Sequence, residues 1–190
     1  MPKPFMCPCF MIPQMYNTYP YPFMVNPQMC NMYAFPPFDN IQTYKRPSIE
    51  LKDYGPGPFV VDIDEATTQN NTFRTVLWTG DSLQVTVMSI DVGDDIGLEV
   101  HTTGDQFIRI EEGEALVKMG DTQDNLDFQR KASDDYAIMI PAGKWHNIIN
   151  IGNKPLKLYV IYAPPEHPRD TVHQTKADAQ ASEQRYRYRY

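Results

Sequence analysis

The chain has 190 residues and a formal net charge of −7, a length that allows one domain with a sizeable core plus extensions. The acidic balance argues against binding to nucleic acid, whose phosphates attract basic surfaces. No apolar run reaches the roughly 18 residues that a membrane-spanning helix needs. Prolines interrupt the apolar residues at the N-terminus and no cationic segment precedes them, so we expect no secretory signal peptide.

Residues 1–45 differ in composition from the rest of the chain, because they are rich in Pro, Met, Tyr and Phe and carry almost no charge. Closely spaced prolines disfavour both helices and strand ladders, and the apolar residues show no helical or strand period. The pattern predicts an extended arm without a core of its own. Its apolar surface is expected either to fold back over its own domain or to dock on other subunits or coat proteins.

All three cysteines of the chain, Cys7, Cys9 and Cys30, lie in this arm. An odd number leaves at least one thiol for a partner or for reaction. Cys7 and Cys9 are separated by one residue rather than by the two of a redox or zinc motif. Free thiols are therefore favoured over a metal or redox role.

From Pro58 onward, short β-rich segments recur at intervals of roughly ten residues, separated by turn signals such as Gly120-Asp121. This pattern predicts an antiparallel sandwich or barrel in a domain of residues 46–165. Residues 64–71 are expected to add one helical turn between strands. The predicted strands are residues 58–63, 73–79, 83–91, 97–101, 106–110, 115–120, 126–131, 136–141, 146–152 and 156–162.

Residues 166–190 are predicted to form a C-terminal tail that is partly helical over residues 174–184. The tail contains His167 and His173, which are expected to be free surface histidines, with capping of the barrel mouth as the alternative. The last six residues alternate Arg and Tyr. A disordered tip or an edge-strand contact is favoured there over binding to single-stranded nucleic acid.

Four polar side chains are expected to meet inside the predicted barrel. Glu99 and His101 are two residues apart, so on a strand they point to the same face. After a turn, Gln106 opens the next strand, and His146 opens another strand after the turn of residues 141–143. If these strands lie side by side, the four side chains converge on a candidate metal site.

The first of the two polar segments resembles the first motif of the cupin family. That motif is a glycine, five residues, His-x-His, three or four residues, a glutamate, six residues and a glycine. Here Gly93 is followed at the same spacings by Glu99 and His101, then by Gln106 and Gly113. Glu99 therefore stands where the family has its first histidine, and Gln106 stands where it has the glutamate.

The second segment resembles the second cupin motif, which is Pro-x-Gly, two residues, His, three residues and Asn. Pro141, Gly143, His146 and Asn150 match this motif in full. The glycine that leads the family's second motif is replaced by Asp135. With the strands around them, the two motifs cover about residues 58–163.

The resemblance implies an all-β cupin double-stranded β-helix, a jelly-roll barrel, that holds a metal through Glu99, His101, Gln106 and His146. Two imidazoles and two oxygens suit Mn, Fe, Ni, Co or Zn. A single carboxylate leaves a divalent ion only partly neutralised, with Lewis-acid character and open positions for water or a substrate. The neutral Gln106 is expected to weaken metal affinity. The alternative is a metal-free polar cluster at the barrel mouth.

Strand alternation and turn chemistry predict roles for four neighbouring residues. Arg109 is expected to face outward. Tyr136 and Met139 are expected in the core rather than along the cavity. Asp105 is interpreted as a turn residue, with a hydrogen bond to a ligand imidazole as the alternative.

Two functional hypotheses and their combination follow. The cupin family includes isomerases, epimerases, dioxygenases, oxalate-degrading enzymes and decarboxylases, so the resemblance implies a small-molecule metalloenzyme, for instance a sugar-isomerase-like one. The absence of a basic cluster argues against phosphorylated sugars. The low-complexity ends are similar in composition to those of bacterial spore-coat proteins, for which the barrel would be a building block. We expect a homodimer located in the cytoplasm or spore coat of a bacterium.

Overall fold

The computed structural model describes residues 48–187, with side chains up to residue 184. The predictions for the arm of residues 1–45, for its cysteines Cys7, Cys9 and Cys30, and for the side chains of the last six residues lie outside the described residues. Within the described part, no helix is both long enough and apolar enough to cross a membrane.

The described residues form two helices and nine strands, and the strands pair antiparallel throughout. One sheet has the order β6-β3-β8-β2-β1-β9, and the other has the order β5-β4-β7. The all-β jelly-roll prediction is confirmed. In chain order the elements are α1 (Ile63–Gln69), β1 (Arg74–Thr79), β2 (Gln84–Ile90), β3 (Asp105–Glu112), β4 (Glu114–Gly120), β5 (Phe128–Ser133), β6 (Ala137–Ile140), β7 (Trp145–Asn150), β8 (Leu156–Ala163), β9 (Val172–His173) and α2 (Lys176–Arg187).

Alternate side chains of both sheets fill one apolar core between them. On β3, Ile108 and Ile110 are fully buried, while the Arg109 side chain between them is 35% exposed. Val117 of β4 and Ile148 of β7 belong to the same core from the other sheet. Burial of this apolar surface, at about 25 cal/mol per Å², holds the sheets face to face. The outward orientation predicted for Arg109 is confirmed.

Helix α1 packs on the outer face of the larger sheet. Ala66 of α1 forms a second buried apolar cluster with Leu77 of β1 and Val87 of β2. The helix begins after Asp62, whose side-chain oxygen accepts a hydrogen bond from the Glu65 backbone N–H at 3.2 Å. Such N-caps satisfy donors that the first helical turn leaves free. The helical turn predicted in this region is confirmed.

The strand predicted over residues 58–63 is wrong, because Asp62 caps a helix at this point. Val60 is 97% exposed. The Phe59 ring instead stacks on the Tyr54 ring with 4.2 Å between centroids. This segment therefore covers the outer apolar cluster and adds no strand to the barrel.

The expectation that Tyr136 and Met139 fill the core is also wrong, since 56% and 65% of their surfaces are exposed. On β6 the inward positions belong to Ile138 and Ile140. The two-residue period of a strand then places Met139 on the opposite face. Because β6 is an edge strand of its sheet, that face stays accessible.

The C-terminal segment joins the barrel through β9 and α2. His173 of β9 pairs with Arg74 of β1, and Ala179 of α2 is buried in the main core. At the start of α2, Thr175 and Asp178 exchange side-chain-to-backbone hydrogen bonds at 3.2 and 2.9 Å, a reciprocal cap. The helix predicted in the tail is confirmed, while the domain boundary predicted at residue 165 stays a prediction.

Four motif positions adopt a left-handed backbone conformation, and the first is Gly93, with a φ of 78°. Gly113 and Gly143 have φ angles of 108° and 80°, which glycine reaches without a Cβ clash. Asp135, at the position of the missing motif glycine, has a φ of 72°. Aspartate is among the residues that tolerate this region, and the Asp135 carboxylate accepts a hydrogen bond from Arg109 at 2.6 Å. The departure from the motif thus preserves the turn.

Candidate metal centre

Backbone hydrogen bonds bring the two motifs together. The backbone N–H of Glu99 donates to the His146 carbonyl at 3.1 Å, and the His146 N–H donates back to the Glu99 carbonyl at 2.9 Å. The Gly143 N–H donates to the His101 carbonyl at 2.8 Å. The side-by-side arrangement expected of these segments is therefore present.

Residues 97–101 do not form the regular strand predicted for them. They follow β7 through the single bridge between Glu99 and His146, and Ile96 just before them donates its N–H to the Ile148 carbonyl at 3.1 Å. The turn at Gly97, with a φ of 96°, interrupts the ladder. The short bridged stretch still suffices to fix the direction of the polar side chains.

Three of the four predicted ligands converge. Oε1 of Glu99 lies 3.4 Å from Nε2 of His101 and 3.3 Å from Nε2 of His146. One potential ligand atom from each of the three residues lies within 4.8 Å of the other two. Ligands of one transition metal sit about 2 Å from the ion, so they are only a few ångströms from one another. The arrangement matches a three-residue metal site.

Each imidazole is oriented by a contact on its other nitrogen. Nδ1 of His146 donates to the Lys144 carbonyl 2.9 Å away. Nδ1 of His101 lies 3.3 Å from Oε1 of Glu166. Such contacts fix the ring and leave Nε2 facing the shared centre. Sequence reasoning missed Glu166, because it lies in the Pro-rich stretch after the last barrel strand and in neither motif.

The charges within the group are strongly coupled. Burial raises the pKa of Glu99, but hydrogen bonds from His101 and His146 and the positive charge of Arg74 outweigh burial and hold it well below its usual range. Burial lowers the pKa of His101, but Glu166 and Glu99 together raise it to about 9. Without a metal, the group is held together by a carboxylate and a protonated imidazole. A bound cation would take over the role of that proton.

Gln106, the fourth predicted ligand, lies in the same polar interior. It is 3% exposed and pairs with Tyr162 between β3 and β8. The Tyr162 ring contacts the His101 ring edge-on, with 5.5 Å between centroids. The side-chain oxygen of Gln106 is buried and makes no hydrogen bond with the described residues. The role of Gln106 as a ligand stays a prediction.

Asp105 connects the two motif turns. Its Oδ1 accepts a hydrogen bond from the Ala142 backbone N–H at 2.9 Å. This contact fits the interpretation of Asp105 as a turn residue. It places Asp105 against the backbone of the second motif.

The expectation of free surface histidines in the tail is wrong. His167 and His173 are partly buried and border the same cavity as Glu99 and His101. The His167 ring meets the Tyr162 ring edge-on at 5.0 Å. Burial, followed by the charge of Arg74, lowers the pKa of both histidines. Their position at the cavity fits the alternative prediction, in which the two histidines cap the barrel mouth.

Two cavities differ sharply in chemistry. The cavity at the three-residue group has a volume of about 280 Å³ and includes Glu99, His101 and Glu166 in its wall. A larger groove of about 590 Å³ lies between β5 and β6, where Phe128 and Met139 are exposed. None of the three grouped residues borders the groove. The smaller, polar cavity is therefore the candidate functional site, because Glu99 and His101 border it.

Two antiparallel sheets around an interior His/Glu group define a jelly-roll barrel with a candidate metal site. A family model for the cupin domain matches residues 86–162. The uncharacterized protein YrkC of Bacillus subtilis (strain 168) is 63% identical over 141 residues, which cover 74% of this chain and 76% of YrkC. The uncharacterized protein L612 of Acanthamoeba polyphaga mimivirus is 41% identical over 111 residues, 58% of this chain and 68% of L612.

A solved structure supports the same assignment. The crystal structure of BH2720 from Bacillus halodurans has a TM-score of 0.68 and 65% sequence identity, and the match covers 68% of this chain and 98% of that chain. The chain belongs to the cupin superfamily as a single-domain cupin. The family resemblance inferred from the two motifs is confirmed.

Proposed function

We propose that this cupin binds a divalent transition metal through Glu99, His101, Gln106 and His146 and acts on a small oxygen-containing molecule in the adjacent cavity. The observation that supports the proposal most directly is the convergence of Glu99, His101 and His146 ligand atoms within 4.8 Å. The buried Gln106 oxygen, which has no hydrogen-bond partner among the described residues, offers a further metal-ligand atom of the right kind from β3.

The donor set fits Mn, Fe, Ni, Co or Zn, because two imidazoles and two oxygens are borderline-to-hard ligands. When bound, such an ion supplies Lewis acidity that polarises a carbonyl or hydroxyl oxygen. The protein contributes orientation, through the Lys144 carbonyl behind His146 and Glu166 behind His101.

Isomerase-like chemistry requires a carboxylate that can move a proton. Glu99 is held by both histidines, so it is a poor choice for this role. Glu166 also contacts an imidazole, that of His101, but it contacts one histidine and not two, it borders the cavity, and 43% of its side chain is exposed. In an isomerase-like reaction we assign the proton transfer to Glu166.

The assembly hypothesis rests on residues 1–45, which lie outside the described residues. Coat partners and a location in the spore coat therefore stay predictions. Homodimerisation and a location in the cytoplasm also stay predictions. The polar cavity favours the small-molecule function, since a purely structural barrel gains nothing from buried polar groups that lack partners.

The test is the metal content of purified protein by mass spectrometry, in the wild type and in the double variant His101→Ala, His146→Ala. We expect about one transition metal per chain in the wild type, as in single-ion protein sites, and loss of the metal in the double variant. His173→Ala is the matched control, because it removes an imidazole from the same cavity but outside the converging group. Metal-free wild type after supplementation, or equal loss in the control, would contradict the proposal.

A further inference from the structure

The C-terminal segment forms one wall of the cavity of about 280 Å³ at the candidate metal centre. Residues 98–101 and Trp145 form the opposite wall. The family model ends at residue 162, so the segment lies outside the part of the chain that the cupin model matches. Its members in the wall are Glu166, His167, Pro168, His173, Ser182 and Glu183. The segment therefore lies across the approach to Glu99 and His101.

The first part of this segment is fixed to the larger sheet by backbone hydrogen bonds. Strand β9 pairs with β1, and the Val76 N–H donates to the Thr171 carbonyl at 2.9 Å. The Gln84 side chain donates to the His167 carbonyl at 2.9 Å and accepts from the His167 N–H at 3.0 Å. At its end, the Gln174 carbonyl accepts from the Phe73 N–H at 3.2 Å. This part is an anchor.

Helix α2, which follows, has little apolar contact with the barrel. Among its described side chains, those of residues 176–184, only that of Ala179 is buried. The remaining ones are polar or are alanines. Most of the stability of a helix in a protein comes from the packing of an apolar face, and elements with few buried apolar contacts are those that open locally. One buried methyl group is therefore a weak attachment for α2.

A charged contact ties the start of α2 to the first motif. Nζ of Lys176 lies 2.7 Å from Oδ1 of Asp94 and 2.6 Å from Oδ1 of Asp95. Burial lowers the pKa of Lys176, but hydrogen bonds to both carboxylates outweigh burial and raise it. The same Asp95 oxygen accepts the Gly97 N–H at 2.6 Å, in the turn that leads to Glu99. We call the contact of Lys176 with the two aspartates the Lys176 latch.

The latch is of a kind that can break and form again while the barrel stays folded. The Lys176 side chain is 22% exposed, and the two carboxylates are 41% and 31% exposed. Partly exposed ion pairs contribute little to stability, and salt screens them. Further along α2, Oε1 of Glu183 lies 3.8 Å from Nη1 of Arg74, which is too long for a hydrogen bond. The latch is therefore the stronger of these two charged contacts.

We propose that α2 is a hinged cover over the cavity at Glu99 and His101, held closed by the Lys176 latch. It turns about residues 174–175, where the anchor ends, and its opening removes Ser182 and Glu183 from the cavity wall. The inference deepens the proposed function by naming how its site is reached, and it rests on that function for the identity of the site. Covers of this kind control the entry and release of ligands.

The first test measures amide hydrogen exchange by mass spectrometry in chelator-treated protein, so it does not depend on a metal. Lys176→Gln should speed exchange of the α2 amides about fivefold, the scale of losing a partly exposed ion pair, and leave β8 unchanged. Added salt should speed α2 exchange more in the wild type than in the variant, because salt screens the latch.

Lys154→Gln is the matched control for this test. It removes another lysine from an exposed ion pair, with Glu112 at 2.8 Å, and should leave α2 exchange unchanged. Equal α2 exchange in the wild type and in Lys176→Gln would overturn the proposal.

The second test measures access to the cavity in the same metal-free protein. Diethyl pyrocarbonate modifies neutral imidazoles. His173 is a suitable reporter, because it borders the cavity, burial lowers its pKa, and β9 anchors it. Lys176→Gln should raise the rate of His173 modification about fivefold, in step with α2 exchange, and Lys154→Gln should not change it. Faster α2 exchange without faster His173 modification would show that α2 does not cover the cavity and would overturn the proposal.

The behaviour of bound metal separates this inference from the proposed function. In metal-loaded protein, Lys176→Gln should release the metal to a chelator about fivefold faster with unchanged equilibrium affinity, because a cover changes entry and release alike. An unchanged release rate would overturn the cover. Faster α2 exchange and His173 modification in a protein that binds no metal would support the cover and contradict the metal proposal. Metal retention with neither effect would do the reverse.

Discussion

Strand β7 carries two motif residues with opposite roles. His146 and Asn150 are four residues apart, so they share the inward face of the strand. Both are buried, with exposed fractions of 0% and 1%. His146 lies near the start of β7, at the polar cavity. Asn150 ends β7 at the far side of the barrel.

The two residues differ in where their hydrogen bonds go. The Asn150 side-chain N–H₂ donates to the carbonyls of Ile90 and Lys154, each at 2.9 Å, and its oxygen accepts from the Gly152 N–H at 2.9 Å. His146 uses one nitrogen for a backbone contact and shares the other with a carboxylate that also holds His101. A buried polar group that the backbone satisfies fully is structural, whereas one left facing other ligands is available for chemistry.

The largest effect is expected for Asn150→Ala. Loss of the side chain leaves several buried backbone groups unpaired, at about 1–3 kcal/mol for each such group. We expect the free energy of unfolding, measured by urea denaturation, to fall by about 3 kcal/mol. Metal bound per folded chain should not change. Asn153→Ala, at an exposed position in the same turn, is the control and should have little effect. A loss of metal in folded Asn150→Ala would contradict the separation of a structural end and a metal-binding end of β7.

Glu99→Gln should affect metal binding more than stability, the reverse of what we expect for Asn150→Ala. Replacing the one carboxylate of the converging group should lower metal affinity by at least about a hundredfold, the upper end of what residues that only orient ligands contribute. A competition assay with a chromophoric chelator measures this affinity. Stability of the metal-free protein should change much less than in Asn150→Ala, because the amide can still accept a hydrogen bond from an imidazole. Glu112→Gln, an exposed carboxylate paired with Lys154, is the control, and a stability loss as large as that of Asn150→Ala would assign Glu99 to the structural group.

Asp53 offers a carboxylate that only uncharged donors hold. Its oxygens accept hydrogen bonds from the Gly55 and Thr79 backbone N–H groups at 2.9 Å and from the Thr79 hydroxyl at 2.6 Å. Burial raises the pKa of Asp53, but these hydrogen bonds outweigh burial and lower it below its ordinary value of 3.8. The carboxylate therefore stabilises the fold at pH above 3.8, and the contribution is lost as the pH falls from that value through the lower pKa of the folded state.

Asp53→Asn tests this structural role. At pH 7 the free energy of unfolding of the variant should be about 1.5 kcal/mol lower than that of the wild type. This value allows for the partial exposure of Asp53, which weakens the contribution of its hydrogen bonds. The difference should shrink as the pH falls below 3.8, the ordinary value for the unfolded chain. Urea denaturation between pH 7 and pH 3 measures it, with the exposed Asp81→Asn as control. A difference that does not depend on pH would assign the effect to packing.

The smallest effect is expected at Asp135, which replaces a motif glycine. Its φ of 72° costs a residue with a β-carbon about 1 kcal/mol, partly offset by the greater flexibility of glycine in the unfolded chain. Asp135→Gly should therefore raise the free energy of unfolding by about 0.5 kcal/mol. Asp135→Ala should lower it, since alanine keeps the β-carbon and loses the contact with Arg109. Destabilisation by both substitutions would show that the side chain, and not the backbone, matters most.

Motif spacing predicted the centre of this molecule well. The spacing from Gly93 to Gly113 and from Pro141 to Asn150 fixed which residues lie on shared faces, because strand period and tight turns are local properties. The convergence of Glu99, His101 and His146 followed from these local rules together with the family resemblance. The errors concern the extent of the strands. Residues 58–63 have the composition of a strand, but Asp62 caps a helix there, and residues 97–101 form a single bridge where a regular strand was predicted.

The sequence by itself determined the barrel, the two motifs and which three polar side chains converge, because alternation and turn chemistry act over a few residues. Only the tertiary structure decided which residues complete the cavity. Glu166 and His173 follow β8, the last barrel strand, so nothing local connects them to Glu99. They meet because β9 pairs with β1 and brings the C-terminal segment over the barrel mouth. That pairing joins residues roughly a hundred positions apart, a long-range contact that no local pattern encodes.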